Sequence, residues 1–285
     1  MGITQLRHLK AVRQTAIIGI IIASLWVCPT GILHAQDAAT QRLNESPRHQ
    51  EWVQVKQGDR TVHSFLVFPE VKDKAPAILV IHENRGLTDW VRSVADRLAE
   101  AGYIAIAPDL LSGMGPNGGK TSDFPDLNSA RDAIYRLKPE QVTADLQAVA
   151  EYVTKLSACN GKLAVGGFCW GGSQTFRFAT NQAGLIAAFV FYGTAPDQES
   201  LKRIPCPVYG FYGGNDARVT STVDATKEQM KAADKIYEPV TYEGAGHGFL
   251  RAGEEDNASE ANKTAKDRAW TRWLNLLKKV TAADQ

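Results

Sequence analysis

The chain has 285 residues, of which 44% are apolar, enough to bury one large α/β core. Its formal net charge is +1, from 32 basic and 31 acidic side chains. This balance, without a basic arm, excludes the electrostatic footprint of a nucleic-acid-binding protein, and the sequence also lacks metal-ligand spacing, a phosphate-binding loop and internal repeats.

Residues 1–35 have the pattern of a secretory signal peptide. Basic residues from Arg7 to Arg13 precede an apolar stretch at 15–27, and Ala35 is the expected cleavage point. We therefore expect a mature protein that is periplasmic or secreted, with no stable membrane association. An uncleaved anchor in the inner membrane is the alternative.

The mature chain divides into two parts. Residues 36–50 are polar, which predicts a disordered N-terminal segment. Residues 51–285 alternate strand and helix patterns and are expected to form one domain. The first two strands, at 52–56 and 61–68, are separated by a short polar turn, which predicts an antiparallel hairpin at one edge of a sheet.

The rest of the domain continues the alternation. Further strands are predicted at 77–81, 103–107, 163–167, 186–191, 208–211 and 236–242, and helices at 88–101, 139–156, 171–180, 221–233 and 259–280. This pattern predicts an α/β fold with a single, mainly parallel, twisted sheet of about eight strands and helices on both faces.

The loop at 81–87 follows an uninterrupted apolar strand, as is typical of buried parallel strands. It contains Glu83, Asn84 and Arg85. Glu83 is expected to face a pocket at the carboxyl edge of the sheet, and a salt bridge with Arg85 is the alternative. Residues 111–127 are rich in glycine and polar side chains and are interpreted as a loop flanking this pocket, with Phe124 as a candidate wall residue.

The pentapeptide Gly167-Phe168-Cys169-Trp170-Gly171 lies between a predicted strand and a predicted helix. This is the setting of a nucleophile elbow, with cysteine where many hydrolases have serine. The glycines leave room for the sharp turn, and the helix N-terminus favours a thiolate. For the pentapeptide alone, a buried core cysteine is the alternative.

Two later glycine-rich loops, each after a predicted strand, contain Asp216 and His247. The chain order of nucleophile, acid and histidine is that of α/β-hydrolases. His247 can take the thiol proton and later protonate the leaving group, while Asp216 orients the imidazole. The backbone N–H groups of Trp170 and Asn84 are the candidate oxyanion donors. A capping aspartate and a polar loop histidine are the alternatives for either residue alone.

Together, the 81–87 loop with Glu83, the Ala107-Pro108-Asp109-Leu110 segment, the cysteine elbow, Asp216 and His247-Gly248-Phe249 resemble the dienelactone hydrolase family over roughly residues 51–279. The resemblance implies an α/β-hydrolase fold. It also implies a Cys–His–Asp triad that hydrolyses small esters or lactones through an acyl-cysteine, without metal or organic cofactor.

The resemblance further implies a switching role for Glu83. In the family, the resting thiol associates with this carboxylate, and substrate binding displaces the glutamate, which takes the thiol proton. The family also binds a substrate carboxylate with two arginines. Arg251 matches one of them, whereas the stretch from Asp109 to Pro116, where the other belongs, has no basic residue. Arg85 could substitute for it, and Phe249 is a further candidate substrate-binding residue.

Alternatives to ester or lactone hydrolysis remain open. The same triad could act on thioesters or transfer the acyl group, and the fold could also serve as a non-catalytic ligand-binding or redox-sensing module. The expected partner is a small-molecule substrate, and the protein is expected to be a monomer or a small homo-oligomer. In the mature chain Cys159 and Cys206 could pair, but a strand between theirs would place them roughly 9–10 Å apart, beyond disulfide reach.

Overall fold

A single sheet of eight strands forms the centre of the molecule in the computed structural model, which describes Gly2 and residues 31–282. In chain order the strands are β1 (Gln50–Gln57), β2 (Arg60–Val67), β3 (Ala75–Ile81), β4 (Ile104–Pro108), β5 (Cys159–Phe168), β6 (Leu185–Phe191), β7 (Val208–Gly213) and β8 (Tyr237–Tyr242). Their order across the sheet is β1-β2-β4-β3-β5-β6-β7-β8.

The helices lie between these strands and at the two ends of the described chain. They are α1 (Gly31–Glu45), α2 (Asp89–Glu100), α3 (Leu127–Ile134), α4 (Pro139–Thr154), α5 (Trp170–Ala179), α6 (Gln198–Leu201), α7 (Ala217–Thr220), α8 (Val223–Ala232), α9 (Phe249–Ala252) and α10 (Glu260–Ala282). Within residues 31–282, no helix has the length and apolar character needed to cross a bilayer.

The pairing of the strands confirms the predicted α/β architecture. β1 and β2 form an antiparallel hairpin at one edge, and β2 is also antiparallel to β4. From β4 to β8 every neighbouring pair is parallel. The carboxyl ends of β3, β5, β6, β7 and β8 therefore meet at one edge of the sheet, and the loops after these strands converge there.

The sheet is covered on both faces because its strands are apolar on both sides. In β3, Ile78 and Val80 point into a core layer shared with α1, α2 and α10. The alternating residues Ala77, Leu79 and Ile81 point into a second layer shared with α4, α5 and α8. This alternation follows from the two-residue repeat of a strand.

The predicted disorder of residues 36–50 is wrong. Residues 31–45 form α1, and β1 begins at Gln50. Ala39 and Leu43, one helical turn apart, are buried in the core layer of α2, and the Thr40 hydroxyl donates to Asp89 at 2.7 Å. The segment is polar in composition, but its few apolar side chains share one face. The predicted apolar stretch at 15–27 lies outside the described residues, and the expected cleavage point after Ala35 falls within α1.

The predicted loop at 111–127 is more structured than expected. It contains short 3-10 turns at Pro116–Gly118 and Thr121–Asp123 and leads into α3, which was not predicted. Asp126 caps α3 by accepting hydrogen bonds from the N–H groups of Asn128 and Ser129 at 2.9 and 2.8 Å. An aspartate before a run containing alanine and isoleucine is a helix-start signal, so the sequence contained a cue for this helix.

Cys159 and Cys206 are both buried and both free. Cys159 is the first residue of β5 and Cys206 lies just before β7, so β6 separates the strands to which they belong. The expected separation by one intervening strand is thus the observed arrangement.

Candidate active site

Cys169 occupies the sharp turn between β5 and α5. Its backbone has φ 57° and ψ −117°, a left-handed conformation that is strained for a residue with a side chain. A Cβ atom at Gly167 would overlap the Gly171 carbonyl and the Thr175 hydroxyl, and a Cβ atom at Gly171 would overlap the carbonyls of Ile81 and His82. Both glycines are therefore needed for the turn that presents the thiol at the carboxyl edge of the sheet.

Asp216 and His247 reach the same edge from the loops after β7 and β8. His247 Nδ1 lies 2.5 Å from Asp216 Oδ2, and His247 Nε2 lies 3.1 Å from Cys169 Sγ. Since an ionised carboxylate only accepts hydrogen bonds, the ring proton belongs on Nδ1, which leaves Nε2 free to accept the thiol proton. The structure thus brings the three predicted residues together in an order suited to proton transfer.

Backbone contacts hold the aspartate and histidine loops against each other. The N–H of Asn215 donates to the Ala245 carbonyl at 2.9 Å, and the N–H of Gly214 donates to the Tyr242 carbonyl at 2.8 Å. Asp216 itself is only 7% exposed, whereas the His247 side chain is 32% exposed. The acid is therefore fixed in the protein, and the base remains open to a substrate.

The predicted oxyanion donors both point to Cys169. The backbone N–H groups of Trp170 and Asn84 interact with the sulfur and, together with the Arg218 guanidinium, lower the pKa of the thiol. Burial of the thiol and, after it, the negative charge of Glu83 act in the opposite direction and prevail, so the pKa of Cys169 is raised. Burial and Glu83 thus favour the protonated thiol and oppose the thiolate that the helix N-terminus was expected to stabilise.

Glu83 is buried at the edge of this site, but its partner differs from both expectations. Arg251 Nε donates to Glu83 Oε2 at 3.0 Å, and Arg251 Nη1 donates to Glu255 at 3.2 Å. The alternative salt bridge with Arg85 was therefore wrong. The resemblance implies a carboxylate associated with the resting thiol, whereas here the carboxylate is held by Arg251, and its charge acts on Cys169 through space.

A cavity of about 570 Å³ opens beside Cys169. Its wall is formed by the loops after β3, β5, β6, β7 and β8 and by the end of α3, with Glu83, Asn84, Arg85, Tyr135, Cys169, Trp170, Ser173, Tyr192, Thr194, Arg218, Val219, His247, Gly248 and Arg251 as lining residues. A volume of this size suits a small organic substrate. Within residues 31–282, no group of three or more His, Cys, Asp or Glu side chains is arranged to hold a metal ion.

The four predicted substrate-binding residues divide into two pairs. Arg85 and Arg251 line the cavity. Phe249 does not, because the first turn of α9 directs its ring into the core, where it is fully buried 5.5 Å from the Tyr192 ring. Phe124 is not among the lining residues either, and it packs against the small apolar cluster around Leu111. These two assignments were wrong.

Several cavity residues were not predicted. Arg218 is exposed on α7, two residues after Asp216, so its position next to the acid was a usable signal. Tyr135 follows the last residue of α3 and accepts a hydrogen bond from the Asn84 side chain at 3.1 Å. Ser173 and Thr194, which also line the cavity, form a hydroxyl pair 3.1 Å apart. Tyr135 could not be found without α3, and the hydroxyl pair has no signature in the sequence.

Tyr192 packs against the His247 ring. Its ring lies edge-on to the His247 imidazole with centroids 5.1 Å apart, and its backbone has a strained φ of 41°. Its hydroxyl is buried and has no hydrogen-bond partner among the described residues. Burial and, after it, the charge of Glu83 raise the pKa of this hydroxyl, so it stays neutral.

Comparisons with known proteins show similarity to one family of hydrolases. The model of the dienelactone hydrolase family matches residues 62–281. A Salmonella typhimurium protein provisionally named a carboxymethylenebutenolidase is 32% identical over 231 residues, which cover 76% of this chain and 82% of that protein. A carboxymethylenebutenolidase of Pseudomonas putida is 27% identical over 225 residues, covering 76% and 93%. A Klebsiella pneumoniae crystal structure, provisionally named a dienelactone hydrolase, superposes with a TM-score of 0.70 at 26% identity and covers 80% of this chain and 97% of that chain.

Proposed function

This chain belongs to the dienelactone hydrolase family, and we propose that it hydrolyses a small ester or lactone through an acyl-cysteine intermediate at Cys169. The observation that carries the proposal is the continuous line of contacts from Asp216 through His247 to Cys169, at 2.5 and 3.1 Å, along the wall of the cavity. Family membership supports the hydrolase class, and the geometry supports the nucleophile.

The acylation step begins from the protonated thiol. His247 Nε2 takes the proton of Cys169, and the sulfur attacks the carbonyl carbon of the ester, so that a C–S bond forms as the carbonyl π bond opens. The oxygen that becomes negative accepts hydrogen bonds from the N–H groups of Trp170 and Asn84. When the C–O bond to the leaving group breaks, His247 gives its proton to the departing alkoxide.

Deacylation repeats the same chemistry with water. His247 removes a proton from a water molecule, whose oxygen attacks the thioester carbonyl. The second tetrahedral intermediate is held by the same two N–H groups, and its collapse releases the carboxylic acid and restores the thiol. Every step uses a proton transfer or a nucleophilic attack that these side chains supply, so the proposal includes no metal or organic cofactor.

Glu83 would influence the first step through its charge. While its carboxylate stays close to the sulfur, it disfavours the thiolate and so protects the resting enzyme from unproductive reaction. A substrate that displaces the Glu83 carboxylate or partly neutralises its charge would favour thiolate formation. This extends the switching role implied by the family resemblance, with Arg251 as the residue that holds Glu83 in place.

The proposal is tested with p-nitrophenyl acetate and three forms of the protein. Wild type should hydrolyse the ester and lose activity on iodoacetamide treatment, and Cys169→Ala should be at least about 10³-fold slower in kcat. Cys206→Ala is the matched control because this cysteine is buried and free and lies just before β7, at the edge of the sheet opposite the cavity. Acid quenching during turnover should leave an acetyl group on the peptide that contains Cys169. Equal turnover by wild type and Cys169→Ala would show that the nucleophile is misassigned.

The place of action is a separate proposal. The signal-peptide pattern of residues 1–35 supports a periplasmic or secreted enzyme. N-terminal sequencing of the protein recovered from osmotic-shock fluid should begin at Gln36. Recovery in the membrane fraction with an intact N-terminus would favour the inner-membrane anchor instead.

A further inference from the structure

The catalytic edge is the part of the carboxyl edge of the sheet where Cys169, Asp216 and His247 lie. His82 is a fully buried histidine next to it, and the steps proposed above do not use this residue. It follows the last residue of β3 and precedes Glu83. Its Nδ1 lies 2.7 Å from the Glu83 carbonyl oxygen, and the N–H of Leu110 donates to its Nε2 at 3.2 Å. The ring therefore connects the loop after β3 with the loop after β4.

These two contacts determine the protonation of the ring. A backbone N–H can only donate, so Nε2 must be the acceptor and cannot hold a proton. A carbonyl oxygen can only accept, so Nδ1 must hold the proton and donate it to Glu83. Burial, the largest effect, lowers the pKa of His82, which keeps the ring in this single neutral form. The imidazole is thus a fixed donor at one end and a fixed acceptor at the other.

The contact with the Glu83 carbonyl has a consequence for the next residue. In a trans peptide the C=O of one residue and the N–H of the next point in opposite directions. Because the Glu83 carbonyl points to His82, the Asn84 N–H of the same peptide group points away from His82, to the side where it interacts with the Cys169 sulfur. The Gly86 N–H also donates to this carbonyl, but at 3.3 Å. The shorter bond comes from His82.

His82 also contacts the residue that supplies the other oxyanion donor. Its ring stacks on the Trp170 indole, with centroids 5.6 Å apart and an interplanar angle of 16°. Its backbone carbonyl approaches Gly171 so closely that a side chain there would overlap it. One buried ring therefore lies against both elements from which the donors come.

We propose that His82 is a positioning residue of the oxyanion hole, because its Nδ1–H fixes the plane of the peptide group that presents the Asn84 N–H to the developing oxyanion. This inference rests on the proposed hydrolase function. It gives His82 no contact with the substrate. Its effect is on the transition state, because a carbonyl that becomes an oxyanion depends more on an aligned donor than the ground-state ester does.

Two substitutions test the two hydrogen bonds of the ring separately, because each keeps one bond and removes the other. In His82→Asn, the side-chain amide nitrogen can occupy the place of Nδ1 and donate to Glu83, while the contact with Leu110 is lost. In His82→Gln, the longer side chain can place its oxygen near the Nε2 position and accept from Leu110, while the contact with Glu83 is lost. Each variant therefore removes one buried hydrogen bond and serves as the stability control for the other.

The expected results differ for the two variants. His82→Asn should keep kcat for p-nitrophenyl acetate within about threefold of wild type, and His82→Gln should lower kcat about 10–100-fold with KM unchanged. The pH midpoint of Cys169 alkylation by iodoacetamide, followed by mass spectrometry, should rise only in His82→Gln, because a thiolate that loses an aligned N–H is less stable. Equal losses in both variants, or a loss confined to KM, would overturn the proposal.

A measurement on the wild-type protein covers the case in which a variant does not fold. Long-range ¹H–¹⁵N NMR spectra should show the His82 ring as the neutral Nδ1–H form from neutral pH down to the onset of acid unfolding. A ring with its proton on Nε2, or a charged ring, would contradict the assignment. If wild type hydrolyses no ester, the proposed function fails, but the alkylation midpoints and the NMR spectra still decide the placement of the Asn84 N–H.

Discussion

Two of the regions where the molecule buries charged groups differ in how well those groups are paired. Under α1, the Asp96 cluster (Asp96, Arg42, Ser46 and Arg48) has a fully buried carboxylate at its centre. Asp96 accepts from the Ser46 hydroxyl at 2.5 Å and from Arg48 Nε and Nη2 at 2.9 and 2.7 Å. Arg42 adds an ion pair at 3.1 Å. The buried charge is thus matched by opposite charge and by hydrogen bonds.

At the catalytic edge, the buried polar and charged groups have fewer compensating partners. Cys169 has a strained backbone and a thiol whose pKa is raised by burial and by Glu83. The Tyr192 hydroxyl has no partner among the described residues, and His247 keeps one nitrogen for the thiol. The difference indicates that the Asp96 cluster stabilises the fold, whereas the catalytic edge keeps donors and acceptors available for a reaction. Substitutions in the two regions should therefore affect different quantities.

The largest effect on stability is expected from Asp96→Asn. The substitution leaves the Arg48 guanidinium, only 8% exposed, without its main counter-charge. We expect the free energy of unfolding in urea to fall by about 3–5 kcal/mol, while kcat for p-nitrophenyl acetate stays within about twofold of wild type below the unfolding transition. Glu100→Gln is the matched control. Glu100 pairs with the same arginines but is 58% exposed, so its loss should cost no more than about 1 kcal/mol.

The stability difference between wild type and Asp96→Asn should also depend on pH, in a direction that the pKa of Asp96 determines. Burial alone would raise the pKa of Asp96, but the hydrogen bonds from Arg48 and Ser46 and the charges of Arg48 and Arg42 outweigh it, so the pKa is lowered. A carboxylate with a lowered pKa contributes stability above its unfolded pKa of about 3.9 and loses that contribution as pH falls through its folded pKa. The difference between wild type and Asp96→Asn should therefore be constant near neutral pH and shrink below about pH 4. A difference that grows in acid would contradict this assignment.

The parts of the site that the sequence could predict are those encoded locally. The elbow at Cys169 depends on glycines within two residues of it, and the aspartate and histidine each follow an apolar strand directly. Parallel pairing then brings these three loops to one edge, whatever the details of the packing. The strands could be predicted for a similar reason, because β3 to β7 are short apolar runs and the more polar β1 is joined to β2 by a short turn.

The missed parts depend on contacts between distant segments. Arg48 and Asp96 are 48 residues apart, and neither shows by itself that α1 is ordered. Glu83 and Arg251 are 168 residues apart, so the nearer Arg85 was a reasonable but wrong partner. Phe249 was misplaced because α9 has only four residues, too few for a periodic pattern to indicate which side is buried. Pairings of this kind follow from the tertiary fold and not from local sequence.

Glu83→Gln tests how the negative charge of Glu83 affects the Cys169 thiol at the catalytic edge. Removing the carboxylate charge should lower the pKa of Cys169, because that charge now raises it, so alkylation of Cys169 at pH 7 should become faster. If Glu83 also switches the thiol, kcat for ester hydrolysis should fall about tenfold. Glu255→Gln is the control, because it removes the other carboxylate bound to Arg251 and leaves Glu83 in place. Full hydrolytic activity in Glu83→Gln would refute the switching role.

The smallest effect is expected from Arg218→Gln, which tests whether exposed charge tunes the same thiol. The Arg218 guanidinium lowers the pKa of Cys169 from the rim of the cavity, so its loss should slow alkylation at pH 7 by about two- to threefold at low salt. Lys227→Gln, which removes an exposed positive charge from α8, should leave the rate unchanged. Because the Debye length falls to about 3 Å in 1 M salt, the effect of Arg218→Gln should largely vanish there, whereas that of Glu83→Gln, a buried charge, should persist. If both effects respond equally to salt, the distinction between exposed and buried charges at this edge is wrong.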